Sequence, residues 1–86
     1  MLNEVHNMDE YMGFVTGNKN RRKMLALLAS NDELEGSRLA KSMRIARPSA
    51  EKVLAELIEK GLVVRADDSF RLTELGSAVE KRMQSI

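Results

Sequence analysis

The stretch from Leu39 to Val63 constrains this chain more than any other. Leu39, Ala40 and Met43 fall on one side of a short helical segment, about Ser37 to Met43. Ala50, Val53, Leu54, Leu57 and Ile58 recur at intervals of three and four, the spacing of one face of a longer helix over about Arg47 to Lys60. Between the two, Arg44, Ile45 and Ala46 leave room only for a tight turn with an apolar centre. Pro48 suits the first turn of a helix, where a missing N–H has no partner to lose. Gly61 suits the position just past a helix end, and the β-branched pair Val63-Val64 follows. A short helix, a tight turn and a longer helix form a unit that presents one helix to a partner.

The flanking sequence supplies the rest of one small domain. Asn18 is a natural N-cap for a helix over about Lys19 to Ser30, in which Met24, Leu25, Leu27 and Leu28 form a wide apolar stripe. Residues 31–36 have turn composition around Leu34, which anchors the loop and is a candidate for a very short strand. Two β-prone pieces, 62–65 and 70–72, flank a polar turn at 66–69 and predict a hairpin. Thr73 caps a last helix with Leu75, Val79 and Met83 on one side. Gly76 lowers helix propensity there and is tolerated if the backbone packs closely at that point. In residues 1–17, Leu2, Val5, Met8, Met12 and Val15 recur every three or four residues and suit an amphipathic helix that would cover the core or pair with a second subunit, a reading that Gly13 and Gly17 weaken.

A chain of 86 residues is one domain with a thin core. With no tryptophan, one tyrosine and two phenylalanines, aliphatic residues and six methionines must build that core. The net charge of +1 does not by itself predict polyanion binding, but the charges are blocked. Lys19, Arg21, Arg22 and Lys23 form one basic group, and Arg38, Lys41, Arg44 and Arg47 another, with Asp32, Glu33 and Glu35 between them. If the blocks fold together, a nearly neutral protein acquires a basic face.

Helix, helix, helix, hairpin, helix is the element order of a winged helix-turn-helix domain. The sequence resembles the short winged-helix transcription regulators of bacteria and archaea, the group around MarR-like and ArsR-like proteins. The likeness rests on several spaced features: Leu39-Ala40 opening the second helix, Ile45 in the turn and Ala50 five positions on. It also rests on the run 57–63 at the end of the third helix and on 71–76 after the wing. It covers about Asn18 to Met83 and departs from the family at two positions. Arg44 stands where glycine is usual, and Ala46 where Ser or Thr usually caps the third helix, so the turn is expected to be less stable.

The resemblance implies a mainly α fold: a three-helical bundle with a small β-hairpin wing and a C-terminal helix, over residues 18–86, preceded by an extension, residues 1–17. It implies a sequence-specific regulator that binds double-stranded DNA with the third helix in the major groove. On this sequence the base-facing positions are Arg47, Pro48, Ser49 and Lys52. Arg38, Lys41 and Arg44 would hold the phosphate backbone, and Arg65 and Arg71 would carry the wing toward phosphate or the minor groove. A homodimer is expected, with Leu2, Val5, Met8, Met12, Val79, Met83 and Ile86 as interface candidates. Lys19–Lys23 is expected to be remote from DNA.

Plainer readings stand beside these. Arg47–Glu51 and Lys52–Glu56 are i,i+4 pairs that serve equally as solvated surface contacts. Glu56 would repel phosphate on nearly the same face as Lys52, and Asp67 and Asp68 sit at the wing tip. These features favour the alternative, an adaptor that uses a winged-helix surface to bind another protein. An enzyme is not expected: the chain has one histidine, His6, and no cysteine, so no nucleophile–base pair and no three- or four-ligand metal site can be assembled around them. No phosphate-binding glycine motif is present, and no cofactor is expected. The lack of cysteine suits a reducing cytoplasm. No apolar run approaches the ~20 residues of a membrane span, and no secretory signal is visible. No feature identifies a small-molecule effector, the operator or the sign of regulation.

Overall fold

The computed structural model describes residues 3–85, with side chains described from Met8 onward. The elements run α1 (Asn3–Thr16), α2 (Lys19–Ala29), β1 (Leu34–Glu35), α3 (Gly36–Met43), α4 (Arg47–Glu59), β2 (Val63–Ala66), β3 (Ser69–Leu72) and α5 (Glu74–Gln84). This is a winged helix: a helical bundle with a small antiparallel sheet in the order β1-β3-β2. The hairpin pairs Val63 with Leu72 and Arg65 with Phe70. Leu34 pairs with Phe70, so the loop anchor is an edge strand.

Local chemistry sets the boundaries. The Asn18 side chain accepts from the N–H groups of Asn20 and Arg21 and starts α2. Thr73 does the same for α5 through the Gly76 N–H, at 2.9 Å. Its hydroxyl also donates to the Gly61 carbonyl at 2.7 Å, and its N–H to Leu62 at 3.0 Å, tying α5 to the end of α4. Gly76 sits at that crossing, where a Cβ would overlap the Leu62 carbonyl oxygen. The helix tolerates glycine here because backbone passes against backbone.

Val15, Met24, Leu25, Leu28, Leu39, Ala50, Leu54, Leu57, Leu62 and Val79 form the centre of the core. Residues up to Thr16 continue as helix through Gly13, because Val15 is fully buried and Tyr11, Met12 and Phe14 pack on the same core. Tertiary burial there outweighs the ~1 kcal/mol propensity cost of glycine. Ile58 does not join its helix's buried face: it is 37% exposed, at the flank of the stripe. Val79 and Met83 are buried within this chain, which removes them as dimer contacts. Leu2, Ile86 and the side chains of Val5 and His6 lie outside the described residues.

Candidate nucleic-acid interface

The turn between α3 and α4 is closed by two backbone bonds. The Arg44 N–H donates to Lys41 and the Ile45 N–H to Ala40, both at 3.1 Å, the pairing of a Schellman stop. Arg44 has φ 58°, the left-handed conformation that glycine adopts without cost. Ile45 is half-buried against the core and orients the turn. Ala46 caps α4 with no side-chain hydrogen bond. α4 is then held by Ala50, Val53, Leu54 and Leu57, all buried.

With that stripe inward, helical geometry assigns the other faces. Pro48, Lys52, Ala55 and Glu59 point directly away from the core. Arg47, Glu51 and Ile58 lie on the flank nearer the wing, and Ser49, Glu56 and Lys60 on the flank nearer α2. Arg47 and Ser49 therefore occupy opposite margins of the helix. Arg38, Lys41, Arg44, Arg47, Pro48, Ser49, Lys52, Arg65 and Arg71 are all exposed.

The acidic side chains of α4 take unequal positions. Glu56 is drawn inward to Arg21 of α2, with Nε to Oε1 at 3.0 Å and both side chains mostly buried. Arg21 also donates from Nη1 to the Phe14 carbonyl at 2.8 Å, with its guanidinium carbon 4.0 Å from the centre of the Phe14 ring. Arg21 is thus a tie between α1, α2 and α4 rather than a solubilising surface charge. Lys52 has no ion pair with Glu56 among the described residues. Glu51 pairs with Arg47, Nε to Oε2 at 3.1 Å, and the two side chains stay 61% and 54% exposed.

Beside this flank runs an open groove of about 520 Å³, lined by Arg47, Glu51, Ile58, Arg65 and Phe70 among others. Arg47 crosses the start of α3, where a Cβ on Gly36 would lie 3.3 Å from its Nη2. Arg65 shares the Phe70 side of the sheet, its guanidinium 5.7 Å from the ring centre, and its Nε donates to the Asp67 carbonyl at 2.8 Å. Arg71 is opposite Val64 in the register and so lies on the other side of the sheet. The structure separates the two wing arginines, because the side-chain period of a strand is two. Conversely, it brings Lys23 of α2 to the depression that Arg44 and Ser42 line. No sequence spacing signals that approach, which depends on how α2 crosses α3. Among the described residues no His, Cys, Asp and Glu group is arranged to hold a metal ion, and no helix is long and apolar enough to cross a membrane.

Comparison with solved structures places the fold among MarR-type winged-helix regulators. Ligand-free NadR is similar with a TM-score of 0.78 and 25% identity, over 96% of this chain and 64% of NadR. A MarR family protein of Mycobacterium tuberculosis is similar with a TM-score of 0.68 and 27% identity, over 72% of this chain and 47% of that one. MepR of S. aureus, in its complex with DNA, has a TM-score of 0.78 at 19% identity, over 96% of this chain and 75% of MepR, and bears on the fold alone. The chain thus spans less than two thirds of the length of NadR and of the mycobacterial protein. No curated protein sequence matches it significantly. Residues 9–86 match the family model of the HVO_A0261 N-terminal domain, and the chain belongs to that family of winged-helix domains.

Proposed function

We infer that this chain binds double-stranded DNA as a transcription regulator, with α4 in the major groove and α3 across the backbone. The observation that carries the reading is the sorting of charge on the helical unit. Arg38, Lys41, Arg44 and Lys52 are exposed along α3, the turn and the outer side of α4, while Glu56 is withdrawn to Arg21. Pro48 and Ser49 meet base edges, Lys52 neutralises phosphate beside them, and Arg47 approaches from the wing side. Arg38, Lys41 and Arg44 hold phosphate, and Lys23 joins them. Arg65 serves the groove side of the wing, and Arg71 takes no part in the same contact. MepR, similar to this chain in fold, is a precedent for this fold on DNA.

One such module contacts too little DNA for tight binding, so two copies on a two-fold operator, with half-sites about 34 Å apart, complete the mechanism. With Val79 and Met83 used internally and Met8 and Met12 partly buried on the same core, the outer side of the N-terminal helix serves as the interface element. Sedimentation at tens of micromolar tests this, and a monomer throughout would end the dimer reading. A DNA-binding regulator of this kind acts in the cytoplasm of a bacterium or archaeon. NadR with 4-hydroxyphenylacetate and CouR with p-coumaroyl-CoA are relatives in fold that hold small molecules. No effector is assigned to this chain.

The exposed Asp67 and Asp68 at the wing tip and the Arg47–Glu51 pair favour the second reading, a protein-binding adaptor. NMR titration of labelled protein with mixed-sequence duplex at low salt separates the two. Shifts on 38–44 and 47–52 that reverse with salt support DNA binding. A spectrum unchanged by excess duplex leaves the adaptor.

A further inference from the structure

Of the two α4 carboxylates that stay exposed, Glu59 lies at the helix end and Glu51 lies near its start, paired with Arg47. Glu51 lies in the second turn of the helix, 61% exposed, with Oε2 at 3.1 Å from Arg47 Nε. Its other oxygen, Oε1, has no ion pair or hydrogen bond among the described residues. Arg47 turns Nε toward Glu51 and Nη2 toward the start of α3, near Gly36. The pair therefore sets a carboxylate with an unpaired oxygen beside a guanidinium, one helical turn apart along α4.

We propose that Glu51 is a specificity-determining residue that selects cytosine in the bound duplex, working beside Arg47. The proposal rests on the DNA-binding reading above. A carboxylate near phosphates is repelled unless a donor meets it. In the major groove the donors are the amino groups of cytosine and adenine, whereas guanine O6 and thymine O4 are acceptors and repel it. Adenine places its N7 acceptor beside its amino group, so a carboxylate there meets repulsion as well as attraction. The cytosine amino group has an acceptor, the paired guanine O6, on one side only, whereas that of adenine lies between N7 and the paired thymine O4. The Arg47 charge offsets that of Glu51, which lowers the cost of bringing the carboxylate into the groove, and the free Arg47 nitrogens suit guanine N7 and O6 on a neighbouring pair. Glu51 thus acts by excluding wrong bases as much as by attracting the right one.

The test is selection from a random duplex library with the 86-residue chain, as wild type, Glu51→Gln and Glu51→Ala, at one fixed salt concentration. Titrations of the selected site with single-base replacements follow. The wild type is expected to require cytosine at one position, with replacement by thymine weakening binding roughly tenfold or more. In Glu51→Ala that discrimination falls to about twofold while preferences at the other positions remain, and Glu51→Gln, which can donate as well as accept, relaxes it too. Three results overturn the proposal: a cytosine preference that survives in Glu51→Ala, a variant that binds all duplexes more tightly with no change in preference, or a wild type that binds duplex but selects no sequence. Failure of the wild type to bind any duplex is a different outcome, since it removes the DNA reading itself and this inference with it. Circular dichroism of each variant confirms the fold, which an exposed side chain of α4 does not support.

Discussion

Arg21 and Glu56 lie 35 residues apart in sequence and meet at 3.0 Å, the guanidinium of α2 against the carboxylate of α4. The contact does two things at once. It ties the presented helix to the bundle, and it removes from the outer surface of α4 a carboxylate that would oppose phosphate. The same guanidinium reaches the Phe14 carbonyl and covers the Phe14 ring, so one side chain adds to the core packing that holds α1.

Arg21→Ala is therefore expected to cost about 1–3 kcal/mol in urea unfolding, since it loses a charged hydrogen bond, a bond to a carbonyl and a cation–π contact together. Arg21→Lys is expected to recover less than half, because one ammonium cannot reproduce the planar fork. Equal stability of Arg21→Ala and wild type would show that the tie contributes nothing.

Gly76→Ala is expected to be the most damaging single-methyl change in the chain. Its Cβ meets the Leu62 carbonyl, a backbone atom that cannot swing aside. Overpacking of this kind costs about 3 kcal/mol, read as a fall in Tm and in the urea midpoint. Gly61→Ala has open space for its Cβ but a φ of 78°, so its cost of about 1 kcal/mol is purely conformational.

The turn offers opposite expectations for stability and binding. Arg44→Gly relieves a left-handed arginine and is expected to stabilise by about 0.5–1 kcal/mol. It also removes a cation from the depression that Lys23 lines, so duplex affinity falls as stability rises. Ala46→Ser supplies the missing cap and adds about 1 kcal/mol. Paired thermal melts and fluorescence-anisotropy titrations separate the two effects.

Lys52→Ala is expected to weaken binding to all duplexes and to reduce the slope of log K against log salt by about 1. Arg71→Ala, on the far side of the sheet from Arg65, is expected to leave affinity within about twofold on the same register argument. An equal loss from both substitutions would place the wing differently on DNA.

Local chemistry made most of the fold legible. The three-four spacing of α4, the caps Asn18 and Thr73, and the stop at Gly61 each act within a few residues of sequence, and each is where the pattern put it. The helical spacing of α1 is legible but weakened, because Gly13 and Gly17 speak for the chain alone, whereas the burial of Val15 belongs to the assembled core. Ile58 was misassigned for a related reason: a helical wheel gives the direction of a residue but not the width of the partner that covers it.

The amino-acid sequence by itself determined the order of elements, the turn and the exposed basic residues of α3 and α4, because periodicity, capping and propensity are local. Only the tertiary structure decided which charges face outward together. It joined Arg21 to Glu56, left Glu51 exposed on Arg47, brought Lys23 to the depression that Arg44 lines and sent Arg65 and Arg71 to opposite sides of the wing. Those outcomes depend on how helices cross and strands register across tens of residues, and a charge interacts with whatever the fold places within a few ångströms of it, not with its neighbours in sequence.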